Sequence, residues 1–233
     1  MKKPVAFLIV LFAVASIKAQ NLQLHYDFGK DRKYLTSTVE MWKADKWGST
    51  FFFIDMNYDA DNANTISLAY WEIARGFNLG KSPFSAHIEF NGGMGQFFTN
   101  PGYGAYSINN AWLTGLDYNF HNADFSQTYT LSALYKYIKD KTDATFQLTA
   151  VWNMDFFKKK VTFRGFADFW GEKNTFTEGE TSTTTNVVFL TEPQIWYNFT
   201  TNIALGSEIE MASNFGGIKG FAINPTIGAK WQF

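Results

Sequence analysis

The chain has no cysteine among its 233 residues, which excludes a disulfide framework and any thiolate metal site or thiol nucleophile. Proline is scarce, at five residues. After the first 19 residues no apolar run approaches the roughly 20 residues that a membrane-spanning helix needs. Neither sign of charge dominates, and the formal net charge is -1, so no basic footprint points to nucleic acid. No helical apolar stripe or heptad run follows residue 20. Catalytic signatures are missing as well: there is no H-E-x-x-H, no G-x-S-x-G and no phosphate-cradling loop. No cofactor or metal is expected.

What is present begins with an export signal. Lys2 and Lys3 precede the apolar run from Pro4 to Val14, and Ser16-Ile17-Lys18-Ala19 ends on a small residue. The division expected is residues 1–19 as a cleaved signal peptide and 20–233 as the mature domain. Cleavage removes three lysines and no acid, taking the formal charge from -1 to -4. Aromatic residues make up 19% of the chain, more than a secreted sandwich of this size buries, and their abundance fits rings that face lipid.

Alternation at period two recurs along the chain. At its end Phe221, Ile223, Ile227, Ala229, Trp231 and Phe233 share one face, while Asn224, Thr226, Gly228, Lys230 and Gln232 share the other. Between Val161 and Glu172 a similar alternation sets Phe163 and Phe169 against Arg164 and Asp168. Twelve strands are expected, near Leu22–Phe28, Lys33–Lys43, Lys46–Asn57, Ile66–Phe77, Phe84–Met94, Ala105–Tyr118, Ser126–Ile138, Ala144–Asp155, Val161–Glu172, Asn186–Tyr197, Asn202–Met211 and Gly220–Phe233. Compact connections alternate with longer polar ones, among them Gly95–Gly104 and Lys173–Thr185, the latter expected to be a mobile surface loop. The fold class expected is therefore all-β: a transmembrane antiparallel β-barrel of about 12 strands, located in a bacterial outer membrane and bathed in its lipid. The alternating last strand ending on Phe233 is the form of signal that barrel-insertion machinery reads.

In such a barrel apolar residues face lipid and polar ones the lumen. The lumen candidates are Asp55, Glu72, His87, Glu89, Asn91, Arg164, Asp168, Glu192, Gln194, Glu208, Glu210 and Lys230, a balance that favours neutral or cationic solutes over anions. Rings share their faces: Phe51 and Phe53 with Asp55, Tyr70 with Glu72, Phe166 and Trp170 with Asp168, Trp196 with Gln194. Such pairs can stack a flat solute and fix its edges, or simply fill a narrow lumen. The solute-binding set is Phe51, Phe53, Asp55, Tyr70, Glu72, His87, Glu89, Arg164, Asp168, Glu192 and Gln194. A lipid hydrolase built around His87 is a remote alternative, and a plugged structural barrel a nearer one. The facing of Ala105–Tyr118 is open, because Asn109 and Asn110 are adjacent.

Several segments resemble the Tsx-like nucleoside-specific channels. They are Lys46-Trp47-Gly48-Ser49-Thr50-Phe51-Phe52-Phe53-Ile54-Asp55, then Glu72-Ile73-Ala74-Arg75-Gly76-Phe77, then Phe163 to Gly171, and the ending Gly228 to Phe233. The chain is also similar to outer-membrane proteins of Bacteroides-type bacteria. Its loops are shorter than that channel family's, and the stretch before the fifth strand has no clear counterpart. The resemblance implies a twelve-stranded monomeric channel for nucleosides, with Phe51, Phe53, Asp55 and Glu72 lining the lumen. The expectation is a channel for passive diffusion of small neutral solutes, not an enzyme.

Overall fold

A computed structural model describes residues 20–59, 65–141 and 145–233. The expected signal segment and parts of two loops, residues 60–64 and 142–144, lie outside the described residues. Thirteen strand segments form one antiparallel sheet: β1 (Gln20–Asp27), β2 (Leu35–Asp45), β3 (Gly48–Tyr58), β4 (Leu68–Asn78), β5 (Phe84–Thr99), β6 (Gly102–His121), β7 (Gln127–Ile138), β8 (Thr145–Phe156), β9 (Val161–Glu178), β10 (Thr181–Thr191), β11 (Gln194–Asn198), β12 (Ile203–Ser213) and β13 (Phe221–Gln232). Each neighbour pair is antiparallel, and β13 pairs with β1, so the sheet closes and no edge is left bare.

The segments β10 and β11 are two halves of one stave, because both pair with β9 on one side and β12 on the other. The barrel therefore has twelve staves, the number the alternation predicted. Pro193 breaks the stave, since its ring nitrogen has no hydrogen to donate to the ladder. Around the break Glu192 N–H donates to Phe166 O, and Pro193 O accepts from Ile209 N–H. Opposite it, a Cβ on Gly165 would lie 2.5 Å from Glu192 O and 2.9 Å from Pro193 Cα, so only glycine allows this approach.

The faces are inverted relative to a protein dissolved in water. On β1 Asn21, Gln23, His25 and Asp27 are buried, while Leu22, Leu24 and Tyr26, with Phe28 just past its end, are exposed. Gln23 is 1% accessible and its neighbour Leu24 48%. The same exposure recurs at Ile54, Ile73, Ile88, Trp112, Leu131, Leu148, Ile195, Leu205 and Ile227 around the ring. A continuous apolar belt of this kind is far larger than soluble monomers expose, and lipid is the medium it fits. Eleven residues, the length of β3, reach about 36 Å, or about 26 Å at a tilt near 45°, matching the hydrocarbon core. At the end carrying both termini polar groups return to the outer face, where Arg75 pairs with Asp45 at 2.8 Å.

Two expected loops are instead paired strand. Gly95–Gly104 is a continuation of β5 and β6 around a turn at Asn100-Pro101, and Lys173–Thr185 is a hairpin turning at Gly179-Glu180. In the second, Thr175 bonds Thr184 (3.3 Å) and Thr177 bonds Ser182 (3.1 Å) across the strands. Above the membrane neither face needs to be apolar, so pairing persists after the alternation has vanished. The facing of β6 is settled by a bulge at Asn109-Asn110: Ala111, Leu113, Gly115 and Asp117 point inward, with Ile108 and Tyr106 inward beyond it.

Candidate functional site: the barrel lumen

The lumen wall is built from the inward positions of every stave. On β3 and β4 the rings of Phe51, Phe53 and Tyr70 follow one another, with centroids 5.9 Å apart at each step. The Tyr70 hydroxyl donates to Glu72 Oε1 (2.6 Å), and Thr38 Oγ1 donates to Asp55 Oδ1 (2.5 Å). All five wall residues are half-buried, so part of each surface stays open. Next along the ring, His87 holds Asp117 through Nδ1 (2.9 Å) and Glu89 through Nε2 (3.1 Å), while Ser132 Oγ donates to Asp117 (2.6 Å). On β8 and β9 Thr149 Oγ1 donates to Asp168 (2.5 Å). On β11 and β12 Trp196 Nε1 donates to Gln194 Oε1 (2.9 Å), whose amide donates to Glu208 (2.5 Å).

An ion pair crosses the lumen. Arg164 on β9 forms a two-pronged bridge to Glu40 on β2, both contacts 2.8 Å, and Asn21 Nδ2 adds a third bond to Glu40 at 3.0 Å. The two staves are not neighbours on either side of the ring, so this bridge narrows the passage. Beside it, toward the termini, lies a recess of about 510 Å³ bordered by Trp42, Asn21, Gln232, Glu40 and Arg164. At the opposite end Arg32, from the β1–β2 connection, reaches Asp27 (3.1 Å) and Glu210 (2.7 Å). Burial opposes the charge of Arg32, but Glu210 and Asp27 outweigh it and raise its pKa.

Another part of the wall is apolar. Ala111, Leu113, Leu134, Ile138, Trp170 and Val188 form an apolar cluster, with Leu190 and Phe215 packed against it. Lys136 lies over Trp170, 4.0 Å from the ring centroid, and donates to Gln147 at 2.6 Å. Lys230 lies over Trp196 at 4.4 Å. Among the described residues no group of three or more acidic or imidazole side chains is arranged to hold a metal.

The register puts Phe51, Phe53, Asp55, Tyr70, Glu72, His87, Glu89, Arg164, Asp168 and Gln194 on the inner face, and Glu192 at the break between β10 and β11. They do not form one cluster. Phe51 to Glu72 make one wall, His87 and Glu89 a second, and Arg164 the crossing. The sequence reading missed Glu40, Asp117, His25, Lys136 and Trp42. For His25 the signal was there, in the alternation of Asn21, Gln23, His25 and Asp27 with apolar residues.

A closed twelve-stave barrel with a lipid-facing belt and a polar lumen defines the class, the bacterial outer-membrane β-barrel. The chain belongs to the family described as "Domain of unknown function (DUF5020)", whose model matches residues 19–233. Among solved structures it is similar to the KdgM porin in complex with disordered oligogalacturonate, at 11% identity over 92% of this chain and 99% of that one, with a TM-score of 0.51. It is also similar to the outer membrane protein Omp33 of Acinetobacter baumannii, at 12% identity over 92% and 96%, with a TM-score of 0.42. A comparison with curated proteins finds no match.

Proposed function

We propose that the barrel is a monomeric, passive channel for small neutral solutes, with nucleosides the leading candidates. The observation that carries this reading is the Phe51–Phe53–Tyr70 wall, three partly open rings in succession beside Asp55 and Glu72. A base can stack on such rings while carboxylates accept bonds from ribose hydroxyls and amines. Two of the four segments that resemble Tsx-like channels lie on the same strands. The fold is shared with a porin described in complex with an acidic saccharide, but the carboxylates of this lumen oppose a polyanion. Binding has to remain weak for the solute to leave. A channel without a covalent step is supported by His87, whose two ring nitrogens are both held by carboxylates. Outer-membrane lipid surrounds the belt.

The test is conductance of the refolded protein in a planar bilayer during titration with adenosine, with glucose as control. Block by adenosine alone is expected. Replacing Phe51 and Phe53 with Ala should weaken that block more than it changes total conductance, and an equal effect on both would sink the ring-wall reading. A second reading, a plugged structural barrel, draws on the Glu40–Arg164 crossing and the apolar cluster. Folded protein that never conducts would establish it.

A further inference from the structure

Asp55, Glu72, Asp168, Glu192 and Glu208 come from five separate places in the ring: β3, β4, β9, the Glu192-Pro193 break and β12. Among the described residues none of the five has a salt-bridge partner. Each is held by neutral donors at most: Thr38 on Asp55, Tyr70 on Glu72, Thr149 on Asp168, Gln194 on Glu208. In the closed ring β3 and β4 stand across from β9, the break and β12, so these carboxylates line both sides of the passage. Two ammonium groups without a salt bridge, Lys136 and Lys230, stand on the inner face against these five carboxylates.

A second observation points to what is missing. Asn91 is 5% exposed and sits on the inner face directly opposite Glu72 in the β4–β5 ladder. Its Oδ1 is buried without any donor. A buried carbonyl without a donor is costly, and an amino group in the lumen would supply the missing hydrogen. Carboxylates held only by neutral donors on both sides of the passage, together with a carbonyl that has none and no cluster arranged for a metal among the described residues, match a ligand whose N–H groups are separated by a carbon chain.

We infer that the middle of the lumen selects cations over anions and binds a solute carrying two or more amino groups, held by Glu72, Asn91, Asp168, Glu192 and Glu208. This rests on the channel reading and adds charge to its solute. Rings of carboxylates select cations because they replace lost hydration and repel anions. An ammonium group gives each acceptor a charge-assisted bond, roughly twice as strong as a neutral one.

The experiment is a reversal-potential measurement in a potassium chloride gradient, followed by titration with 1,4-diaminobutane and with its uncharged diacetylated form. The expected result is a potential of cation-selective sign and block by the diamine alone. Asn91→Ala and Glu72→Gln should each weaken the block at least about tenfold, the size of one lost charge-assisted bond. Leu24→Ala, on the lipid face, should leave it unchanged, and heat-modified gel mobility reports that every variant is folded. A non-selective or anion-selective conductance overturns the inference while the channel stands. Equal block by the diacetylated form overturns the amine site. Absence of conductance from folded wild-type protein overturns the channel reading and this inference together.

Discussion

Glu40 and Arg164 show what a single side chain decides in a narrow barrel. Removing the Glu40 carboxylate strands the guanidinium in the lumen, and a fully buried partner would cost about 3–5 kcal/mol. A quarter of the Arg164 side chain stays accessible (25%), so the expected loss for Glu40→Ala is smaller, about 1–3 kcal/mol. Urea unfolding in lipid vesicles measures it. The double variant Glu40→Ala with Arg164→Ala should recover part of the loss, and strict additivity would mean that the two groups do not interact. The same variants should widen the passage and raise single-channel conductance. Arg164 was legible in the sequence because it interrupts an apolar run. Glu40 was not, since its inward neighbours Thr36, Thr38 and Trp42 and its outward neighbours Ser37 and Val39 blur the alternation.

At the scale of the strand, the stave broken at Pro193 depends on the missing side chain of Gly165 across from it. Gly165→Ala drives a methyl group into Glu192 O and Pro193 Cα, and overpacking of this kind costs about 1–3 kcal/mol. We expect a lower midpoint in urea and a shorter-lived native band on unheated gels. An unchanged midpoint would mean that the break relaxes freely. The expected strand Asn186–Tyr197 contains this proline, and the sequence reading placed no break there. The hairpin over Lys173–Thr185 was hidden for a different reason. Period-two hydrophobicity records a boundary between lipid and lumen, and a strand that has risen above the membrane has no such boundary to record. Its Thr-rich pairs are backbone pairing without a pattern.

For the molecule as a whole, the solvent of the outer face is the quantity to test. Ile73 lies at the middle of β4 on that face and is 50% exposed. Ile73→Arg should cost about 2–4 kcal/mol in a bilayer, whereas Trp47→Arg, in a turn at the terminal end, should cost about 0–1. Reversible unfolding from vesicles compares the two, and equal costs would mean that the apolar face does not sit in lipid. By itself the sequence determined the strand period, the number of staves, the face that meets lipid and the inward set from Phe51 to Gln194. These are local properties, written every second residue along each strand. Only the tertiary structure decided which inward groups meet: that Glu40 reaches Arg164, that His87 lies between two carboxylates, and that an apolar cluster fills one side. Contacts across a barrel depend on closure and on the stagger between staves far apart in the chain, and no period within one strand encodes either.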